Sequence, residues 1–362
     1  MKKHNFSAGP SIIEKDIIHK ASKAALELNS SGLSILEISH RSADFVNIIQ
    51  EAQALTKELL NINDDYEVLF LQGGASLQFH MSALNFSSPE SIGAYIDTGV
   101  WSKKAITESQ KIGNTLILAS SKDKKYTYIP KQITTNQKID YLHFTSNNTI
   151  YGTQFHSFKE LVQIAEQNNA KLICDMSSDI FSKVINVHDF DLIYAGAQKN
   201  LGPAGATLVI VKKTSIKDDK NLPTYLNYQT HIDKKSMFNT PPVFSIYVSM
   251  LTLRWIKESG GIQNIQKKNQ EKAALLYNEI DRNSLFFGIV NPEDRSNMNV
   301  TFNLKNDTHK DTFEKMCQEG GINGIHGHRS IGGYRASIYN ALDISSVQFL
   351  TALMQKLETN IL

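Results

Sequence analysis

Apolar positions fall at helical spacing over about residues 16–29, where Ile17, Ala21, Ala24, Ala25 and Leu28 share one face. A second stretch, about 43–60, puts Val46, Ile49, Ala52, Leu55 and Leu59 on one stripe. The rhythm then changes. Residues 67–71 form a short apolar run that predicts a strand, 72–76 a turn, and Leu77 onward a helix. Further short apolar runs predict buried strands at 92–96, 115–119, 141–144, 171–175, 191–194 and 207–211, with helical stretches such as 158–168 between several of them. This alternation predicts an α/β domain around a mostly parallel sheet.

After Pro241-Pro242 the pattern shifts to long helices, about 243–258 and 262–281, separated by Gly260-Gly261. A strand at 298–304, a helix at 310–319, a strand near 334–338 and a last helix from Ser345 follow, the pattern of a smaller α+β domain. The expected division is a large domain of residues 16–258 and a small one of 259–362 joined by 1–15, with the site in the cleft between them.

The 362 residues suffice for two domains and a sizeable core. With 41% hydrophobic and 20% charged residues the profile is globular, and a net charge of +2 gives no bulk attraction for nucleic acid or an anionic membrane. No apolar run approaches the roughly 20 residues of a spanning helix, and no apolar stretch near the start suggests a signal peptide. Cys174 and Cys317 form no CxxC pair. A reduced, cytoplasmic enzyme is expected, with a single disulfide as the alternative.

Four segments carry candidate chemistry. In Asp191-Leu-Ile-Tyr-Ala-Gly-Ala-Gln-Lys199 an apolar strand ends in small residues and a lone lysine, followed by glycines. A positioned, partly desolvated amine there forms Schiff bases with aldehydes; the alternative is a surface-loop lysine. Asp175 closes the apolar run 171–175, where its carboxylate can face a pyridinium nitrogen, cap a helix or hold a metal. Gly73-Gly74-Ala75-Ser76, between strand and helix, suits a phosphate or is a plain turn, and lacks the dinucleotide and P-loop patterns. His40-Arg41 and His326-Gly-His328-Arg329, with Arg335 beyond Gly332-Gly333, suit an anionic substrate. The alternatives are a metal site at the histidines, which no carboxylate or cysteine cluster supports, or surface charge.

Together the segments Asn5-Phe-Ser-Ala-Gly-Pro10, Glu37-Ile-Ser-His-Arg41, Tyr194-Ala-Gly-Ala-Gln-Lys-Asn-Leu-Gly-Pro-Ala-Gly205, Ser236-Met-Phe-Asn-Thr-Pro-Pro242, Gly327-His-Arg329 and Gly332-Gly-Tyr-Arg-Ala-Ser-Ile-Tyr-Asn340 resemble the phosphoserine aminotransferases, class V pyridoxal-phosphate enzymes of fold type I. The similarity is close to chain-wide. It implies a cofactor Schiff base at Lys199, Asp175 at the pyridine nitrogen and Trp101 stacked on the ring. Ala75, Ser76, Thr149 and Gln198 would hold the cofactor's phosphate and phenolic oxygen. Asn239 and Thr240 would reach that phosphate from a neighbouring subunit, in a homodimer with shared sites. Arg335 would clamp the substrate α-carboxylate, and His40, Arg41, His328 and Arg329 would receive its phosphate.

The implied reaction is amino transfer between glutamate and 3-phosphohydroxypyruvate in serine biosynthesis, with phosphohydroxythreonine of vitamin B6 synthesis as a second substrate. Some family members carry arginine where this chain has Ser76, which removes one phosphate contact here. The rival functions are a lyase or desulfurase on the same scaffold and a non-enzymatic cofactor-binding protein. The strand position of Cys174 and helix position of Cys317 weigh against the first, and the intact Lys199, Asp175 and Arg335 set against the second.

Overall fold

The computed structural model describes residues 2–88, 90–216 and 221–361. Met1 and Leu362, the outer limits of the expected small domain, lie outside the described residues.

A two-residue strand β1 (His4–Asn5) precedes helices α1 (Lys15–Leu26) and α2 (Ala43–Leu60). Then come β2 (Tyr66–Leu71), α3 (Gly74–Phe86), β3 (Ile92–Asp97), α4 (Val100–Ser109), β4 (Asn114–Ser120), β5 (Tyr141–Thr145), α5 (Lys159–Asn168), β6 (Lys171–Asp175), β7 (Leu192–Gly196) and β8 (Thr207–Lys212). Helices α6 (Tyr228–Asp233), α7 (Val243–Glu258) and α8 (Gly261–Arg282) follow. The chain closes with β9 (Phe286–Gly288), β10 (Asn299–Leu304), α9 (Lys310–Glu319), β11 (Ile322–Asn323), β12 (Tyr334–Ser337) and α10 (Ile344–Ile361).

α2 has the expected limits because both ends carry strong stops. The Ser42 side chain accepts from the Phe45 amide at its start, and Asn61 takes the left-handed conformation at its end. α1 stops at Leu26, short of the expected residue 29, and Leu28 is buried in the turn that follows.

The large sheet has strand order β2-β8-β7-β6-β5-β3-β4. Neighbours are parallel from β7 to β4, while β8 runs antiparallel to both β7 and β2. β5 to β8 are covered on both faces, so their central residues are apolar without alternation, His143 of β5 excepted. Val68 and Phe70 of β2 join one core layer with α2 and α7, and Leu69 and Leu71 join the other with α3 and α4.

A separate cluster fills the space between α8, α9, α10 and the three-stranded sheet β12-β10-β9. Phe6 is buried in it, and β1 pairs with β11, so the first residues pack with the C-terminal part. α8 spans two clusters, through Ile262 and Ile265 on one and Leu276 and Ile280 on the other. Among the described residues no helix is long and apolar enough to cross a membrane.

Candidate active site

The registers bring five chain segments to one edge of the large sheet. Leu71, Thr207 and Gly196 lie abreast, as do Thr145, Asp175 and Tyr194. The chain leaving β2, β3, β5, β6 and β7 at this carboxyl edge surrounds a cavity of about 330 Å³, the place where open α/β sheets take ligands.

Lys199 lies three residues beyond β7, in a connection closed by bonds from the Ala197 amide to Ala206 O and from the Gly202 amide to Ala197 O. Ser11 packs onto it, its amide donating to Gln198 O at 3.0 Å and its hydroxyl to Lys199 O. The amine lines the cavity and donates to Thr149 Oγ1 at 2.8 Å. Burial pushes it down to about 8, against the pull of the Asp175 and Asp179 carboxylates and with a contribution from Arg335. An ordinary surface lysine has none of these features.

Asp175 ends β6 and is buried. Its Oδ1 accepts from the Ser177 amide at 2.9 Å and the Ser177 hydroxyl at 2.6 Å. Burial raises its pKa, opposed by the Ser177 hydroxyl and the Lys199 charge. No helix starts at Asp175, and the described residues contain no group of histidines, cysteines and carboxylates able to hold a metal.

The turn at Gly73 is shorter than expected, since α3 begins at Gly74 and not at Leu77. Gly73 is left-handed (φ +88°), and a Cβ there would meet the Leu77 side chain at 2.5 Å. α3 has no side-chain cap, which is why its start was hidden in the sequence. Gly74, Ala75 and Ser76 form its first turn and line the cavity, where backbone amides without intrahelical acceptors suit an anion.

The walls contain polar atoms that lack protein partners among the described residues. Trp101 Nε1, Thr145 Oγ1 and Arg335 Nε are all buried without a hydrogen bond, and all three residues line the cavity. Trp101 sits in the first turn of α4, its ring centre 5.6 Å from the Lys199 amine. Arg335, on β12, is paired to Thr301 of β10. Its Nη1 lies 3.5 Å from Thr149 O, no carboxylate among the described residues pairs with it, and burial lowers its proton affinity. His328 also lines the cavity. Its Nδ1 is 2.7 Å from Ser330 Oγ, and burial, then the charges of Arg335, Arg329 and Lys104, lower its pKa.

Of the residues expected at the site, Lys199, Asp175, Trp101, Ala75, Ser76, Thr149, Gln198, His328 and Arg335 share this cavity. His40, Arg41, Arg329, Asn239 and Thr240 do not line it within their own chain. Arg41, Arg329, Asn239 and Thr240 are exposed, and His326 lies against Glu314 at 3.8 Å. Asn239 and Thr240 do not cap α7, which begins after Pro242 with no side-chain cap. Thr240 O instead accepts from the Gln72 side-chain Nε2 at 2.7 Å.

Sequence reasoning missed a buried amide network. Asn147 lines the cavity and donates to Ser178 Oγ at 2.7 Å and Asn299 Oδ1 at 2.8 Å. Asn299 in turn donates to Ser337 Oγ at 2.9 Å and to Tyr339 OH at 3.1 Å. Asn200 Oδ1 accepts from the Asn340 amide, whose side chain accepts from Asn269 at 2.8 Å. These bonds tie loops of the large sheet to the strands bearing Arg335. The available signal was Asn299, an amide at the start of the strand that carries Val300 and Phe302.

Comparison with known proteins gives consistent matches. The family pattern described as Aminotransferase class-V matches residues 3–350. The chain is 53% identical to a phosphoserine aminotransferase of Flavobacterium psychrophilum and 54% to that of Flavobacterium johnsoniae, each over 100% of both chains. Among solved structures, the phosphoserine aminotransferase of Bacillus circulans subsp. alkalophilus is 40% identical, with 99% of each chain covered and a TM-score of 0.94. The pyridoxal-phosphate-bound enzyme of Trichomonas vaginalis is 31% identical, covering 98% of this chain and 100% of its own, with a TM-score of 0.90.

Proposed function

The chain belongs to the class V aminotransferases, and from that premise we infer that it moves an amino group reversibly between L-glutamate and 3-phosphohydroxypyruvate, giving 2-oxoglutarate and O-phospho-L-serine. The observation that carries this is the convergence of Lys199, Asp175 and a half-buried Arg335 with no carboxylate partner among the described residues on one cavity. It is a pyridoxal-phosphate enzyme, and the donor set fits that cofactor: a depressed amine, a carboxylate, open helix amides and an indole face. When bound, the cofactor supplies a carbonyl that condenses with amines and a ring that accepts the electron pair released at Cα.

The residues divide the remaining work. Lys199 Nζ holds the cofactor and, when freed, carries the proton off the substrate Cα and redelivers it, as a base whose pKa of about 8 suits neutral pH. Asp175 keeps the pyridine nitrogen protonated, and Ser177 fixes the carboxylate's orientation. The amides of 74–76 with Gln198 hold the phosphate, Thr149 the phenolic oxygen, and Trp101 the ring face. Arg335 receives the α-carboxylate as a two-pronged donor. No thiol reaches the cavity for a desulfurase reaction, since Cys174 and Cys317 are buried in β6 and α9 with their pKa raised by burial.

The proposal extends to a cytoplasmic homodimer with shared sites. His40, Arg41, Asn239 and Thr240, which stand outside their own chain's cavity, would complete a neighbour's, with Arg329 adding to the substrate-phosphate set. Leu26 at the end of α1, with Leu33 and Leu36 between α1 and His40, is exposed, as is Phe238 beside Asn239, which supports an apolar contact there. Phosphohydroxythreonine is the proposed second substrate on the same charge argument.

Amino transfer from glutamate to a panel of keto acids, with and without phosphate, tests the reaction. A preference for unphosphorylated acceptors would overturn it. Mixing Lys199→Ala with Asn239→Ala/Thr240→Ala tests the sharing. Mixed dimers carry both defects in one site and neither in the other, so activity should partly return; no return despite subunit exchange would refute it.

A further inference from the structure

Lys104 is an exposed residue of α4. It lies three residues after Trp101 on α4, so the two side chains share a helix face. The carboxylate a helical lysine ordinarily meets, four residues on, is Glu108. That group is taken by Lys111 at 2.7 Å and His80 at 3.4 Å. The exposed Lys104 ammonium stands instead 4.8 Å from the ring centre of Trp101, which lines the cavity, and makes no ion pair among the described residues. Its charge reaches His328, where it acts together with Arg335 and Arg329. The two unpaired cations, Lys104 and Arg335, therefore bear on one histidine of the cavity from different elements, α4 and β12.

We propose that Lys104 is a specificity-determining residue: held over Trp101, it supplies positive charge to the phosphate end of the substrate and favours phosphorylated over unphosphorylated keto acids. This rests on the reaction inferred above. A cation acting on a phosphate, which carries about two charges near neutral pH, across a partly solvated gap changes affinity by about 5- to 10-fold. The effect fades as the Debye length shrinks from about 10 Å at 0.1 M salt to about 3 Å at 1 M.

The test compares Lys104→Met, which keeps the apolar stem over the indole, with Lys104→Arg, which keeps the charge. kcat/KM is measured for 3-phosphohydroxypyruvate and for hydroxypyruvate at low and high salt. Binding of O-phospho-L-serine is followed by the cofactor's absorbance. In Lys104→Met the preference for the phosphorylated acid should fall about 5- to 10-fold, mainly through KM, with parallel weakening of phosphoserine binding. Lys104→Arg should restore both, and 1 M salt should shrink the difference. An unchanged preference in Lys104→Met, or a loss that Lys104→Arg does not restore, would overturn the proposal and leave Lys104 as packing on the indole. A wild-type enzyme without preference for the phosphorylated acid would instead overturn the inferred reaction, and this proposal with it.

Discussion

Replacing Arg335 by Met should move stability and activity in opposite directions. The ligand-free protein holds this guanidinium with little compensation. It is largely buried, has no carboxylate partner among the described residues, leaves Nε unbonded, and makes one long contact of 3.5 Å. Exchanging a buried charge for an apolar side chain of similar length is often neutral or stabilising by about 1–4 kcal/mol. With unfolding entropy of about 2 cal/mol/K per residue and 362 residues, each kcal/mol is worth roughly 1.3 °C. The variant should therefore melt at the wild-type temperature or up to about 5 °C above it. Loss of a charge-assisted partner for the substrate carboxylate costs about 2–5 kcal/mol, roughly 30- to 5,000-fold in kcat/KM for glutamate. Thermal melts with and without saturating pyridoxal phosphate, alongside single-turnover reaction with glutamate, measure both quantities. A variant that melts several degrees lower and reacts at near the wild-type rate would show that Arg335 is structural and that the α-carboxylate binds elsewhere.

Three further outcomes are expected. The neutral amine attacks an aldehyde, and Lys199 loses its proton near pH 8, so cofactor uptake by the cofactor-free chain should speed up through pH 8 and level off above it; a rise continuing toward pH 10.5 would show an ordinary lysine. Asn299→Ala deletes three buried bonds and should cost about 3 kcal/mol in urea unfolding, with a raised KM for amino acids; an unchanged unfolding midpoint would exclude a bridging role. Gly73→Ala forces a Cβ into Leu77 at a left-handed position and should weaken cofactor retention at least several-fold by equilibrium dialysis, whereas retention equal to wild type would mean the first turn of α3 does not hold the phosphate.

Periodicity made the large elements legible because they are long or doubly buried. α2 and α7 carry continuous apolar stripes, and β6 an uninterrupted apolar run. Lys199 and Asp175 were legible for a related reason, as polar residues closing such runs at the functional edge of a sheet. The start of α3 was not, because Gly73 caps it by conformation and offers no side-chain signal. β9 and β11, of three and two residues, are too short to show a period. The Asn147–Asn299 pair spans 152 positions, so only the folded chain brings it together. Lys104 carried no signal in the sequence, since only the folded chain shows Glu108 taken by Lys111 and His80.

The strap formed by residues 4–11 has a consequence for how the protein is made. β1 pairs with β11, and Ala8 O takes its hydrogen bond from Tyr339. Ser11 meanwhile closes over the backbone of Gln198 and Lys199. Contacts spanning more than three hundred positions form late, because chain closure must precede them. A nascent chain carrying the complete large sheet still lacks both the strap's anchor and Arg335. A chain ending before residue 320 should therefore bind pyridoxal phosphate weakly or not at all.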